Sequence, residues 1–168
     1  MHVTSTTCPL ARNLAPTRIT TAGYESVVGA VLRSARRSAR VSQARLATAC
    51  GATENTIRAW ENGSSPLAST PMPQIEAVTA ALHQAGACRL LTADLAVAAW
   101  CDLVITAVAA WEDPTCLLAD PITADGAFGE LMAWCLDGRV PQRYRPYAAP
   151  GPLIREQTLI ERVRRALD

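Results

Sequence analysis

Residues 42–63 read SQARLATACGATENTIRAWENG, and this stretch carries the strongest indications of the fold. It contains two short segments with a helical spacing of apolar residues, 42–50 and 53–61, with Gly51 in the break between them. Gly51 suits the left-handed end of one helix, and Thr53 suits the N-cap of the next. The stretch therefore predicts two short helices joined by a tight turn.

The second of these helices has the pattern of a helix that lies in the major groove of DNA. Ile57 and Trp60 are three residues apart and would hold one face against the protein body. The outward positions can read base edges, since Asn pairs with adenine, Arg pairs with guanine, and Glu accepts from the cytosine amino group. We expect three base-contacting residues: Glu54, Asn55 and Arg58. Glu54 is equally well explained as a favourable charge at a helix N-terminus.

The flanking sequence predicts one further helix on each side. From Val27 the apolar residues recur at spacings of three and four on one face, while another face carries four arginines: Arg33, Arg36, Arg37 and Arg40. This arginine face either contacts phosphates or is simply solvated. A fourth helix is expected from Pro73, a residue favoured at the first helical position, to Gln84.

With these flanking helices, residues 25–86 resemble the helix-turn-helix of the lambda-repressor/Cro-like family, also called the xenobiotic response element (XRE) family. The matching residues are Ser42-Gln43, Leu46-Ala47, Gly51, Ile57, Trp60 and Glu61-Asn62-Gly63. The resemblance implies a helical domain that binds double-stranded DNA through its third helix. Because one such module reads only a few base pairs, it also implies a dimer on two half-sites.

The resemblance further implies that Arg36 pairs with Glu61, and that Gln43 and Asn62 contact the DNA backbone. Adding the arginine face and the hydroxyls near two helix N-termini, the expected backbone contacts are Arg36, Arg37, Arg40, Ser42, Gln43, Thr53, Thr56 and Asn62. Arg40 departs from the family, which often has Gly or Asn there in a left-handed turn. Either this turn differs here, or Arg40 accepts strain to reach a phosphate.

The second half of the chain resembles no family that we can name. We expect a long apolar helix from Thr92 or Asp94 to about Trp111, a helix over 123–137, an irregular loop over 139–152 and a final helix over 153–167. The apolar helix is short for a membrane span and favours a buried or interfacial position. It predicts a dimer interface made by Leu95, Trp100, Val104, Val108 and Trp111.

The net charge of +1 conceals a strong division along the chain. Residues 1–90 carry nine arginines and four acids, 91–137 carry eight acids and no base, and 138–168 carry seven arginines and three acids. This asymmetry favours a basic module that binds a polyanion, and an acidic module that is held away from that polyanion. The arginines of the 139–152 loop could lie over the acidic body or reach DNA, and the pattern does not choose between these positions.

The composition argues against an enzyme, a cofactor and a metal site. There is no lysine, only two histidines, His2 and His83, and no glycine-rich phosphate loop. The six cysteines are scattered without metal-ligand spacing, and the N-terminus lacks the pattern of a secretory signal. These features indicate a cytoplasmic protein with reduced thiols and no membrane partner.

Together these observations predict an all-α protein with three parts: a flexible arm over 1–23, a five-helix-type helix-turn-helix domain over 24–88, and a small helical domain over 89–168. The expected function is a sequence-specific transcription regulator, most simply a dimeric bacterial repressor. Two alternatives stay open for the second half. It could bind a protein partner, as in an antitoxin, or a small-molecule effector.

Overall fold

The computed structural model describes residues 24–65, 67, 70–110 and 126–167, and these residues form an all-helical structure. Its helices are α1 (Val27–Ser38), α2 (Gln43–Cys50), α3 (Glu54–Asn62), α4 (Met72–Gln84), α5 (Arg89–Ala110), α6 (Ala127–Asp137) and α7 (Gln157–Leu167). Within these residues the only β-type pairing is an isolated bridge between Tyr24 and Ile154. The predicted all-α fold is confirmed. The arm predicted over 1–23 lies outside the described residues, as does Trp111.

Local signals set the ends of the first three helices as the sequence predicts. The side chains of Ser26, Ser42 and Thr53 cap α1, α2 and α3 by accepting a bond from a backbone N–H in the first turn. Gly51 and Gly63 end α2 and α3 in the left-handed conformation. The two short helices are therefore separated by one tight turn at Gly51.

The starts of α5, α6 and α7 differ from the prediction. The α6 helix begins at Ala127 rather than at 123, because Gly126 stands at its N-cap with a φ of 80°. The α5 helix begins at Arg89, where the N–H of Thr92 already donates to the carbonyl of Cys88 at 3.2 Å. The α7 helix begins only at Gln157, since the preceding segment is extended. There the carbonyl of Leu153 accepts from Glu25 N at 2.8 Å, and Ile154 N donates to the carbonyl of Cys135 at 3.1 Å.

The buried residues of both halves of the chain form one hydrophobic core. The α5 helix packs on α1 more extensively than any other pair of helices packs together. The domain boundary expected after residue 88 stays a prediction; in the described residues, helices on both sides of it contribute to this core. By length and composition α5 could cross a membrane, but the core helix of a soluble protein passes the same test.

The residues expected to form a dimer interface fall on two different faces of α5. Leu95, Val104 and Val108 are buried in the core of the chain itself, because this face of α5 belongs to that core. Their burial is explained without a second copy of the protein. Trp100, in contrast, is 49% exposed and lies on the outer face of the helix.

A buried carboxylate of α5, Asp102, holds the N-terminus of α1. Its oxygens accept from the hydroxyl of Ser26 at 2.7 Å and from the backbone N–H groups of Val27 and Val28 at 2.8 and 3.1 Å. The Tyr24 hydroxyl donates to the same carboxylate. Burial raises the pKa of Asp102 to about 7, while the two backbone donors act to lower it. The second half of the chain therefore completes the first helix of the first half.

We expect Asp102→Ala to lower the free energy of unfolding by about 2–4 kcal/mol, because it leaves buried donors at the start of α1 without an acceptor. Urea denaturation followed by circular dichroism measures this loss. Glu76→Ala, which removes an exposed carboxylate from α4, is the matched control and should change stability by less than about 0.5 kcal/mol. Equal stability of the two variants would show that the carboxylate does not support α1.

Candidate nucleic-acid interface

The α3 helix is attached to the protein by one face and exposed on the other. Ile57 and Trp60 are buried at 0% and 2% exposure, and they pack in the core with Leu46 and Ala47 of α2. This packing and the turn at Gly51 fix the angle between the two helices. The N-terminal half of α3 consequently presents its remaining side chains to solvent.

The three residues expected to contact bases lie together on this exposed face. Nη1 of Arg58 donates to Oδ1 of Asn55 at 3.2 Å, and Nη2 of Arg58 donates to Oε1 of Glu54 at 3.0 Å. The side chains of Arg58 and Glu54 are 55% and 48% exposed. Because a guanidinium has five N–H donors, Arg58 can keep both bonds and still present donors to an outside acceptor. The face is thus a connected group of hydrogen-bonding side chains.

The C-terminal half of α3 is held by a buried carboxylate, Glu61. Nε and Nη2 of Arg36 donate to its two oxygens at 2.5 and 2.9 Å, and Nε2 of Gln43 donates to Oε2 at 2.8 Å. The pairing of Arg36 with Glu61 that the resemblance implied is therefore present. Since Arg36 belongs to α1 and Gln43 to α2, this one carboxylate fixes three helices relative to one another.

This network occupies two side chains that were expected to contact the DNA backbone. The third nitrogen of the Arg36 guanidinium, Nη1, donates to the carbonyl of Val41 at 3.0 Å, so all three of its nitrogens have protein partners. The amide of Gln43 also donates to a protein acceptor. In this structure both side chains position α3, and their contact with DNA stays a prediction.

Three other expected backbone-contacting side chains have a local structural role. The hydroxyls of Ser42 and Thr53 each accept from the third backbone N–H that follows them, at 3.1 Å, and so cap α2 and α3. Oδ1 of Asn62 accepts from the N–H of Ser64 at 2.9 Å. The hydroxyls of Thr56 and Thr53 are 2.8 Å apart. These side chains lie at or near the surface, where contact with a phosphate stays a prediction.

Arg40 adopts one of the two conformations that the sequence left open for the turn before α2. Its φ angle is 57°, and it is the only non-glycine residue in the described part of the chain with a positive φ. The left-handed turn typical of the family is therefore kept, with an arginine in place of Gly or Asn. A left-handed conformation costs an L-residue roughly 1–2 kcal/mol. This exposed arginine is thus held in a conformation that its own backbone disfavours.

Two residues of α1, Gly29 and Arg33, bring this helix against α3, and neither contact was predicted from the sequence. Gly29 lies so close to α3 that a Cβ there would be 2.5 Å from the carbonyl oxygen of Glu61. Nη2 of Arg33 donates to the same oxygen at 2.6 Å, and its Nη1 donates to Glu25 at 2.6 Å. The only available signal for the close approach was a glycine within an apolar helix face. Nothing in the local sequence indicated the partner of Arg33.

The exposed face of α3 is suited to recognition by hydrogen bonds. The described residues contain no group of three or more His, Cys, Asp or Glu side chains that could hold a metal ion. Cys101 and Cys135 are buried, and burial raises the pKa of the Cys101 thiol to about 12.

Comparison with known families identifies the domain that carries this face. Residues 27–95 match a family model described as a helix-turn-helix domain. No curated protein and no solved structure matches the chain. The predicted helix-turn-helix is confirmed, and the match extends beyond the expected end at residue 86 into α5.

We expect Glu61→Ala to destabilise the protein by about 3–5 kcal/mol, because it leaves Arg36 as an uncompensated, mostly buried charge. Glu54→Ala is the control, since it removes a carboxylate from the same helix but breaks only an exposed pair worth about 0.3–0.5 kcal/mol. Thermal and urea unfolding compare the two. Similar losses in both variants would contradict the role given to Glu61.

Proposed function

Because residues 27–95 form a helix-turn-helix domain, we propose that this protein is a sequence-specific DNA-binding transcription regulator that reads the major groove with α3. The observation that carries the proposal is the exposed group of Glu54, Asn55 and Arg58 on a helix anchored by Ile57, Trp60 and Glu61. A rigidly held helix with an exposed, hydrogen-bonding N-terminal half is what base recognition requires.

The chemistry of the exposed group supports recognition of particular bases. Arg58 can donate two parallel bonds to a guanine, and Asn55 can bind an adenine in the same bidentate way. The carboxylate of Glu54 accepts from the amino group of cytosine and repels a phosphate. A helix face with these three side chains therefore favours some sequences over others, and its charges cancel. The affinity common to all sequences must come from basic residues outside α3.

The wider proposal is a cytoplasmic repressor that occludes promoter DNA and has no catalytic activity. The acidic segment 91–137 carries eight acids without a base, and it supports a body that is held away from the DNA. The Ala- and Arg-rich, lysine-free composition supports a bacterial source. A protein partner or an effector for the second half stays an alternative within this proposal.

We propose that the protein acts as a homodimer through the outer face of α5. After Arg89, the exposed positions of this helix carry no charge: Leu90, Ala93, Ala96, Trp100, Leu103, Thr106 and Ala110. Leu90, Trp100 and Leu103 are 64%, 49% and 53% exposed. A twofold contact places a face against itself, so an uncharged face brings no like charges together although the segment is acidic. Two modules would then meet half-sites about 34 Å apart.

Selection of bound duplexes from a random DNA library tests base recognition. We expect the wild-type protein to enrich a defined motif, and Arg58→Ala to lose preference at one base position of each half-site, which corresponds to about 1–3 kcal/mol. Arg89→Ala, which removes an exposed arginine from the first turn of α5, is the control and should enrich the unchanged motif. An unchanged motif for Arg58→Ala would show that α3 does not read the bases.

Analytical ultracentrifugation tests the dimer. We expect the wild-type protein to sediment as a dimer and Trp100→Glu to sediment as a monomer, because two buried carboxylates would face each other at the contact. Met72→Glu is the matched control, since Met72 is 64% exposed on α4. A dimer that survives Trp100→Glu would contradict this interface, and a second chain that co-purifies would favour the partner-binding alternative.

A further inference from the structure

The loop that follows α6 is a built structure rather than a loose connection. Tyr144 is fully buried at 0% exposure, and its hydroxyl donates to Oδ2 of Asp94 at 2.6 Å. Nε of Arg143 donates to the same oxygen at 2.7 Å, and its Nη1 donates to Glu130. Burial, together with the bond to Asp94, raises the pKa of Tyr144, so its hydroxyl remains a donor. Arg143 is therefore bound to carboxylates of α5 and α6, within the acidic segment 91–137.

The tip of this loop reaches the arginine face of α1. Nη1 of Arg37 donates to the carbonyl of Tyr147 at 2.7 Å. The tip is itself folded by turns in which the N–H groups of Tyr147 and Ala148 donate to the carbonyl of Tyr144 at 2.8 and 2.9 Å. Arg145 is exposed, and it lies in the chain between Tyr144, which is buried, and Tyr147, which is partly buried. Its backbone position is thus fixed on both sides, within a few residues of the contact with α1.

The arginines near this contact differ in whether a carboxylate neutralises them. Arg33, Arg36 and Arg143 form ion pairs with carboxylates at 2.5–2.7 Å. In contrast, no ion pair involves Arg37, Arg40 or Arg145 among the residues that the structure describes. Arg37 and Arg145 donate to backbone carbonyls, which leave the positive charge uncompensated.

We propose that Arg37, Arg40 and Arg145 form one phosphate-binding surface that extends the DNA contact from the helix-turn-helix onto the loop over 139–152. This inference rests on the proposed function. Arg37 lies in the last turn of α1, and Arg40 lies in the turn that follows this helix, where its N–H donates to the carbonyl of Arg37 at 3.0 Å. Arg40 also lies two residues before Ser42, the N-cap of α2. In a helix-turn-helix the helix that precedes the recognition helix crosses the DNA backbone, so this corner lies beside phosphates.

The loop makes a distinct contribution to this surface. Because the charges of α3 cancel, the affinity common to all sequences depends on arginines beside it. Arg37 anchors the loop through a neutral carbonyl and keeps its charge, and the anchored loop adds Arg145. The second half of the chain would then bind the backbone directly, through a guanidinium suited to bidentate contact with phosphate. The expected ligand is the backbone of double-stranded DNA, irrespective of base sequence.

The salt dependence of binding to a mixed-sequence duplex, measured by fluorescence anisotropy with the full chain, tests the inference. We expect Arg145→Gln to reduce the slope of log K against log salt by about 1 per chain. The wild-type protein should then lose roughly 3-fold more affinity per chain than the variant between 50 and 200 mM salt, or about 10-fold more for a dimer with both chains on the duplex. Arg145→Lys should restore most of the slope, and the base preference found by selection should stay unchanged in Arg145→Gln.

Arg165→Gln is the matched control, because Arg165 is an exposed arginine in the last turn of α7 and is not part of the proposed surface. A wild-type slope in Arg145→Gln would overturn the inference while leaving the proposed function intact, provided that Arg40→Gln reduces the slope. An equal reduction in Arg145→Gln and Arg165→Gln would also overturn it, since net charge alone would then explain the effect. Failure of the wild-type protein to bind duplex DNA would instead overturn the proposed function.

Discussion

The structure depends on the buried carboxylate of Asp102, which holds the N-terminus of α1 from a helix more than seventy residues away in the chain. A buried helix N-terminus needs acceptors for its first N–H groups. Ser26 supplies one of these acceptors, and Asp102 supplies those for Val27 and Val28. Asp102 lies beyond the segment 27–95 that matches the family model, so residues outside the match complete the helix-turn-helix domain.

A second buried carboxylate, Glu61, holds α3, the helix whose exposed face would meet DNA. It binds Arg36 of α1 and Gln43 of α2, and Gly29 lets α1 approach the end of α3 closely. The C-terminal half of α3 is thus held by short, mostly buried bonds. Its N-terminal half carries only exposed bonds, which are weak in water and can exchange for bonds to bases. One short helix therefore combines a fixed position with a replaceable set of partners.

Burial and ion pairing distinguish the arginines that hold the structure together from those proposed to bind phosphates. Arg36 and Arg143, each bound to a buried carboxylate, hold helices and the loop in place. Arg37 and Arg145 donate to backbone carbonyls, which leaves their charge for the phosphate contact proposed above. Because the chain has no lysine, every basic contact is made by a guanidinium, whose planar fork serves both purposes. The net charge of +1 therefore says little about the local charge of the surface proposed to bind DNA.

The helix-turn-helix could be predicted from local sequence, since caps such as Thr53, the glycine at Gly51 and the spacing of Ile57 and Trp60 act over a few residues. The exposed position of Arg58 followed from the same periodicity. The partners of Asp102, Gln43 and Arg143 became known from the folded chain alone, because each partner lies well outside the local sequence. The tertiary structure also decided that Leu95 and Val104 face the chain's own core, while Trp100 faces outward. Helical spacing identifies the apolar faces of a helix, but only the packing of the whole chain determines which of those faces it buries.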